Sequence, residues 1–271
     1  MRRQHRVTPP AILFTALATF AAPALAQDAE PAPAEAAPAD AVKVTPELLA
    51  ERLDSLYRSK ASKGKMTMKI VTKNYEREMT MEMTTRGMDD TLIRIVAPRK
   101  DRGVSTLKKG TEMWNYIPKV RKTVRVPPSM MTSSWMGSDV TNDDLVRGSS
   151  YEDDYTTEMS PKEAKGGEVC VTTTPKPSAP VTWSRIVGCF DQETLTPTRQ
   201  VFYDEKDRAA RRISFADVKT MDGRVIPTRM TIEPLIGENK GNKTVMTYVE
   251  MDFDADVDPR VFSLSSLRRA R

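Results

Sequence analysis

Hydrophobic side chains recur at every second position along much of this chain. Met66, Met68 and Ile70 alternate with Thr67 and Lys69. After a polar turn near Asn74, Met79, Met81 and Met83 alternate with Thr80 and Glu82. Successive side chains of a strand point to opposite faces, so this period predicts two half-buried strands. A third, Thr91 to Pro98, sets Leu92, Arg94 and Val96 opposite Ile93 and Ile95. Val104 to Leu107 continues the meander, and Gly110 turns the chain into a strand holding Trp114 and Tyr116. A basic strand, Val120 to Val126, follows. The second half predicts strands at Tyr151–Met159, Glu168–Thr173, Val181–Phe190, Pro197–Tyr203, Ala209–Thr220, Val225–Pro234 and Lys243–Phe253. Turn signals at Gly166-Gly167, Asp222-Gly223 and Gly241-Asn242 separate several of them, as in a meandering antiparallel sheet.

Helical signals are few. Thr45 caps a helix that opens on Pro46 and carries Leu48, Leu49, Leu53 and Leu56 as one apolar stripe, which should pack on the sheet. Pro127 and Pro128 break the sheet, and Ser129 to Asp139 becomes a loop bearing Met130, Met131, Trp135 and Met136. Thr141 caps a short helix over Asn142–Val146, with Asp143 and Asp144 in its first turn. An apolar cluster on a loop is costly unless buried, so this segment should fold over the open side of the sheet as a lid or plug. Asp258 to Phe262 predicts a last helical turn, followed by a closing strand or tail.

Methionine is a poor choice for a rigid β core, where branched residues pack better. Its unbranched thioether adapts its shape, which suits a cavity that accepts variable chains. Trp114, Tyr116, Met130, Met131, Trp135 and Met136 are the leading candidates for cavity or lid, and Met66, Met68, Met79, Met81 and Met83 stand behind them on the sheet. A slip of one residue in strand register would invert which methionines face inward. Lys119, Arg121 and Arg125 share one face of the basic strand and could meet an anionic headgroup or an acidic partner, or simply protect a sheet edge.

The N-terminus changes the compartment. Arg2, Arg3 and Arg6 precede an apolar run, Ala11 to Ala22, too short to span a bilayer, and Ala24-Leu25-Ala26 is a small-x-small cleavage site. Residues 1–26 therefore read as a cleaved export signal and residues 27–44 as a disordered Ala/Pro-rich linker, leaving 45–271 as a single β domain in the periplasm. The net charge of +5 loses three arginines with the signal, which is too small a balance for nucleic-acid binding. The two cysteines, Cys170 and Cys189, fall in adjacent strands of an exported chain and predict one disulfide.

The single histidine, His5, lies within the signal. Ser-His-Asp and Cys-His catalysis and imidazole metal sites are thereby excluded, and no glycine-rich phosphate loop is present. No cofactor and no metal is expected. Asp139, Asp143 and Asp144 could perform acid–base work, but helix capping explains them more simply. An outer-membrane barrel fails because the outward faces carry Lys, Arg and Glu.

The window Met113-Trp114-Asn115-Tyr116-Ile117-Pro118, the basic strand after it, Ser134-Trp135-Met136-Gly137-Ser138-Asp139 and Asp143-Asp144-Leu145 together resemble LolA-like outer-membrane lipoprotein-sorting proteins, in particular larger relatives with a Met-Trp-x-Tyr-x-Pro strand. The likeness runs from about Pro46 to Phe262-Ser263-Leu264. It implies a mainly β fold: a curved, incomplete antiparallel barrel covered by helices, with an apolar cavity between. It also implies a periplasmic carrier or chaperone, not an enzyme, for a lipid or lipidated protein. Handover from an inner-membrane transporter of the resistance-nodulation-division class and transient contact with the membrane surface would follow. The alternative within the same resemblance is a periplasmic sensor that binds an inner-membrane regulator. Such sensors carry a further C-terminal domain, and the short tail after Phe262 favours the carrier.

Overall fold

The computed structural model describes residues 43–146, 151–177, 179 and 181–269. The expected signal and nearly all of the expected linker lie outside the described residues. Thr45 caps helix α1 (Pro46–Ser55) by accepting the Leu48 N–H at 3.2 Å, and Leu49 is fully buried.

The two methionine strands lie side by side. In β1 (Ala61–Val71) and β2 (Glu76–Arg86), Met66 faces Met81 and Met68 faces Met79. The meander continues through β3 (Asp90–Ala97), β4 (Ser105–Lys109), β5 (Glu112–Ile117) and β6 (Lys122–Arg125). The chain then leaves the sheet for a loop and helix α2 (Asn142–Val146). It returns through α3 (Tyr151–Asp154) and β7 (Tyr155–Met159) into β8 (Glu168–Pro175), β9 (Arg185–Asp191), β10 (Pro197–Tyr203), β11 (Ala209–Met221), β12 (Arg224–Pro234) and β13 (Lys243–Phe253). Pairing of β13 with β1 joins the two meanders into one antiparallel sheet of 13 strands, ordered β6-β5-β4-β3-β2-β1-β13-β12-β11-β10-β9-β8-β7. The sheet is curved and does not close, so β6 and β7 are its edges.

Alternation gives the sheet an inner and an outer face. Met68, Met79, Met81, Ile93, Ile95 and Met113 form the inner core with Trp135 from the loop. Leu92 and Leu107 point outward and are covered by Phe262 and Leu267 of the C-terminal segment. Leu49 of α1 packs on Val171 and Phe190 at the other end of the inner face. Cys170 and Cys189 stand opposite each other on β8 and β9 and form the disulfide.

Four local expectations are corrected. The strand expected from Tyr151 opens as α3, because the Asp54 carboxylate accepts the Tyr151 and Glu152 N–H groups at 3.0 and 3.4 Å and caps a helical turn. The strand expected from Val181 begins only at Arg185, since Val181 and Trp183 pack on Tyr155, Ile186 and Phe202 instead. The strand expected from Val120 begins at Lys122, because Pro118 starts a 3-10 turn that ends on Arg121 at φ 52°. The closing strand or tail after Phe262 is a short helix, α4 (Leu264–Leu267), capped by Ser263.

Candidate functional site

The loop after β6 fills one half of the inner face and leaves the other half hollow. Trp135 is 2% exposed, and its indole N–H donates to Thr106 Oγ1 at 3.1 Å. Thr106 in turn donates to Asn115 Oδ1 at 2.7 Å, so the one polar atom of the indole is satisfied inside the core. Val140, Met131 and Met136 come down with it. The loop tip is tied to the β1–β2 hairpin, where Tyr75 Oη donates to the Gly137 carbonyl at 3.1 Å. Met136 and Gly137 both take left-handed backbone there, at φ 55° and 78°.

Beyond Trp135 a cavity of about 320 Å³ remains. Its floor is Met66, Met83, Ile93, Met230, Met246 and Tyr248 on the central strands. Tyr155, Trp183, Ile186 and Phe202 make the far wall, and Leu53 of α1, Tyr57 just after it and Leu145 of α2 border the cavity on the other side. Tyr57 stacks on Tyr248 with ring centroids 4.4 Å apart and donates to the Pro227 carbonyl at 2.7 Å. Burial pushes both phenols well above their ordinary range, so they remain neutral.

The polar groups of the wall are mostly engaged. Arg211, 8% exposed, donates to both oxygens of Asp144 at 2.7 and 3.0 Å. Its guanidinium lies 4.3 Å from the Phe202 ring centroid and 4.9 Å from that of Trp183. Burial alone would raise the Asp144 carboxyl, but the Arg211 charge and hydrogen bonds from Arg211 and Thr141 outweigh it and hold the carboxyl below its ordinary value. Gln200 Nε2 donates to Tyr151 Oη at 2.8 Å. Asp139, raised by burial, accepts from Thr244 Oγ1 at 2.8 Å. Glu168 lies close to Cys170 and Cys189, but the sulfurs are joined in the disulfide and Glu168 accepts from Thr198 at 2.6 Å and Arg199 at 3.0 Å. That trio is a structural cluster, with no free ligand set for a metal.

The sequence-derived residues scatter over four environments. Met66, Met83 and Trp135 line the cavity. Met68, Met79 and Met81 lie in the closed core beneath the loop, with Met131 and Met136 packed against it, while Met130 is half exposed. Trp114 and Tyr116 face outward and pack on Leu92, Leu107 and Phe262. Alternation forces this, because Met113 takes the inner position and is fully buried. Lys119, Arg121 and Arg125 sit at the β6 edge, outside the cavity, and do not share one strand face: Lys119 belongs to the 3-10 turn, Arg121 ends it, and Arg125 pairs with Glu112. Exposed Ile117, Val120 and Val124 lie among them. Sequence reasoning missed Tyr57, Tyr151, Trp183, Phe202 and Arg211. Arg211 left a signal, since it is in phase with the inward Ile213 of β11.

The model of an uncharacterized protein family matches residues 87–269, more than half of the chain. The chain belongs to this family, DUF1329. Among solved structures it is similar to a DUF1329 family protein from Desulfovibrio piger, at 24% identity and a TM-score of 0.70, with 81% of this chain and 96% of that one covered. It is also similar to a LolA superfamily protein from Nitrosomonas europaea, at 19% identity and a TM-score of 0.67 over 82% and 99% of the two chains. A third is a putative outer membrane lipoprotein-sorting protein domain from Vibrio parahaemolyticus, at 18% identity and a TM-score of 0.66 over 82% and 97%. No curated protein matches in sequence. These likenesses give the DUF1329 chain a LolA-like fold. No helix among the described residues is long and apolar enough to cross a membrane.

Proposed function

We propose that this protein is an exported periplasmic carrier that holds an acyl chain of a lipid or lipidated protein in the inner-face cavity. The observation that carries the reading is the cavity itself, walled by Met66, Met83, Ile93, Met230, Trp183 and Phe202 and bordered by the loop that bears Trp135. Each methylene moved from water into such a wall contributes ~0.8 kcal/mol, so binding needs no polar chemistry along the tail. Methionine and aromatic side chains adapt to the chain they meet. The volume stands at the low end of the roughly 300–1,000 Å³ of ordinary ligand sites, a size suited to a single chain. The signal over residues 1–26, the linker over 27–44 and a single domain over 45–271 belong to the same reading.

Loading and release need a donor and an acceptor. The β6 edge beside the loop combines exposed Ile117, Val120, Val124 and Met130 with Lys119, Arg121 and Lys122, a mixture suited to brief contact with an anionic membrane surface. An inner-membrane transporter of the resistance-nodulation-division class would fit as donor. The test is native mass spectrometry of protein purified from the periplasm, followed by lipid extraction. A mass shift that Trp135→Asp abolishes supports the carrier. A shift that survives it in a folded variant places the bound molecule elsewhere and overturns the site.

A further inference from the structure

Two cations and one unpartnered hydroxyl stand at one end of the cavity. Thr91 on β3 lines the cavity and is 7% exposed, and among the described residues its Oγ1 has no hydrogen-bond partner. Lys108 stands directly opposite Thr91 on β4 and is 4% exposed. Both take inner positions, because their neighbours Leu92 and Leu107 face outward. An ammonium group offers three donors, and the acceptor seen for Lys108 Nζ is the Met88 carbonyl at the cavity rim. Arg58 lines the same end, and its Nη1 donates to the neighbouring Gly87 carbonyl at 3.2 Å.

The two cations are close enough to repel. Burial, then the Arg58 charge, lowers the Lys108 ammonium to about 8, while Asp89 and Asp90 act in the opposite sense. Those acids are committed elsewhere or wet: Asp90 binds Arg86, and Asp89 is exposed. Asp54 also lines the cavity; its oxygens cap α3 while its charge favours the Arg58 guanidinium. A buried cation with one neutral acceptor, beside an arginine and an unpartnered hydroxyl, is costly to keep unless something negative completes it.

We propose that the cargo is a single-chain amphiphile with an anionic head, a carboxylate or a phosphate monoester, whose oxygens meet Arg58, Thr91 and Lys108 while the tail runs over Met66 and Ile93. The proposal rests on the carrier reading and names the ligand class of its cavity. Two or three oxygens on one head match the donors available: the Thr91 hydroxyl, the remaining guanidinium N–H groups and the ammonium behind them. Arg58 in the lining and Lys108 behind Thr91 would take the role that the sequence gave to Lys119, Arg121 and Arg125, which stand outside the cavity.

The experiment is calorimetric titration of the full chain with hexadecanoate, hexadecyl phosphate and hexadecanol, which share one tail. A charge-assisted head contact predicts that one or both anions bind roughly ten- to a hundredfold more tightly than the alcohol, and the tighter anion identifies the head. Thr91→Val and Lys108→Met should narrow that ratio to within about threefold of unity. Wild-type comparison alone decides the matter if a variant fails to fold. Equal binding of all three overturns the anionic head and leaves the carrier standing. Failure of all three to bind overturns the carrier and the inference with it.

Discussion

Arg211 grips Asp144 through two hydrogen bonds, 2.7 and 3.0 Å long, and so ties helix α2 at the end of the loop to strand β11 in the opposite half of the sheet. The two residues are 67 positions apart. Thr141 donates to the same carboxylate from its backbone N–H and its hydroxyl, both at 2.8 Å, so one side chain closes the helix cap and fastens the loop. Stacking on Phe202 and Trp183 fixes the guanidinium in the cavity wall. Loop position and cavity shape are therefore linked through one ion pair.

Asp144→Asn should weaken the fold by about 2 kcal/mol, the order of a buried charge-assisted hydrogen bond. The sign with pH follows from the lowered carboxyl. Its contribution is complete above the ordinary aspartate value of 3.8 and is lost as pH falls through the lower folded value. The wild-type advantage over Asp144→Asn should therefore shrink in acid. Urea unfolding of both proteins across that range measures it, and an advantage independent of pH would remove the ion pair from the account.

Lys108→Met should stabilise the protein at neutral pH. The folded ammonium titrates at about 8 against an ordinary 10.5, so the charged form is disfavoured on folding. That difference corresponds to at most about 3 kcal/mol, less the partner lost by the Met88 carbonyl. Wild-type stability rises between pH 8 and 10.5, where the unfolded chain holds the proton that the folded chain has released. The gap to Lys108→Met should close over the same interval, as read by denaturant midpoints. A variant less stable than wild type at pH 7 would mean that the Met88 contact outweighs the burial cost.

Trp135→Phe keeps most of the apolar volume and leaves Thr106 without the indole donor, at an expected cost of about 1–2 kcal/mol. Trp135→Ala should cost about 3–5 kcal/mol by opening a hole over Met68 and Met81. Increased binding of a hydrophobic dye, together with the unfolding free energies, checks both changes. Equal costs for the two substitutions would mean that the indole does not seal the core.

Replacing Cys170 and Cys189 together by serine should destabilise the chain by up to about 3 kcal/mol, since the bridge closes a loop with a sequence separation of 19. The sulfurs cluster with Val187 and Tyr203 on the face away from the cavity. Cargo binding should therefore survive at temperatures where the variant remains folded. Loss of binding without unfolding would connect the bridge to the cavity.

Lys119→Gln with Arg121→Gln should reduce cosedimentation with phosphatidylserine vesicles by about tenfold or more, given ~1 kcal/mol for each basic residue near such a surface. The effect should fade at high salt. Unchanged sedimentation would exclude this edge as the membrane contact.

Much of the fold was written locally. The alternation of Met66-Met68-Ile70 and Met79-Met81-Met83 and the capping of α1 by Thr45 and of α2 by Thr141 follow from neighbours a few positions apart, and the pairing of Cys170 with Cys189 from there being two cysteines in the chain. Alternation says which side chains share a face within one strand. It does not carry parity through a turn, so Trp114 and Tyr116 were placed inside when Met113 holds that position.

The cavity was decided by tertiary structure. The sequence by itself determined a β meander with methionine faces and an apolar loop able to cover them. Where that loop comes to rest depends on Trp135 meeting Thr106, Asp139 meeting Thr244 and Asp144 meeting Arg211, contacts that span 29 to 105 positions. Those contacts fill the space above Met68, Met79 and Met81 and leave it open above Met66 and Met83. Hollow and solid regions share one composition and one period, because a void is a property of how distant surfaces fit together and leaves no mark on the residues that border it.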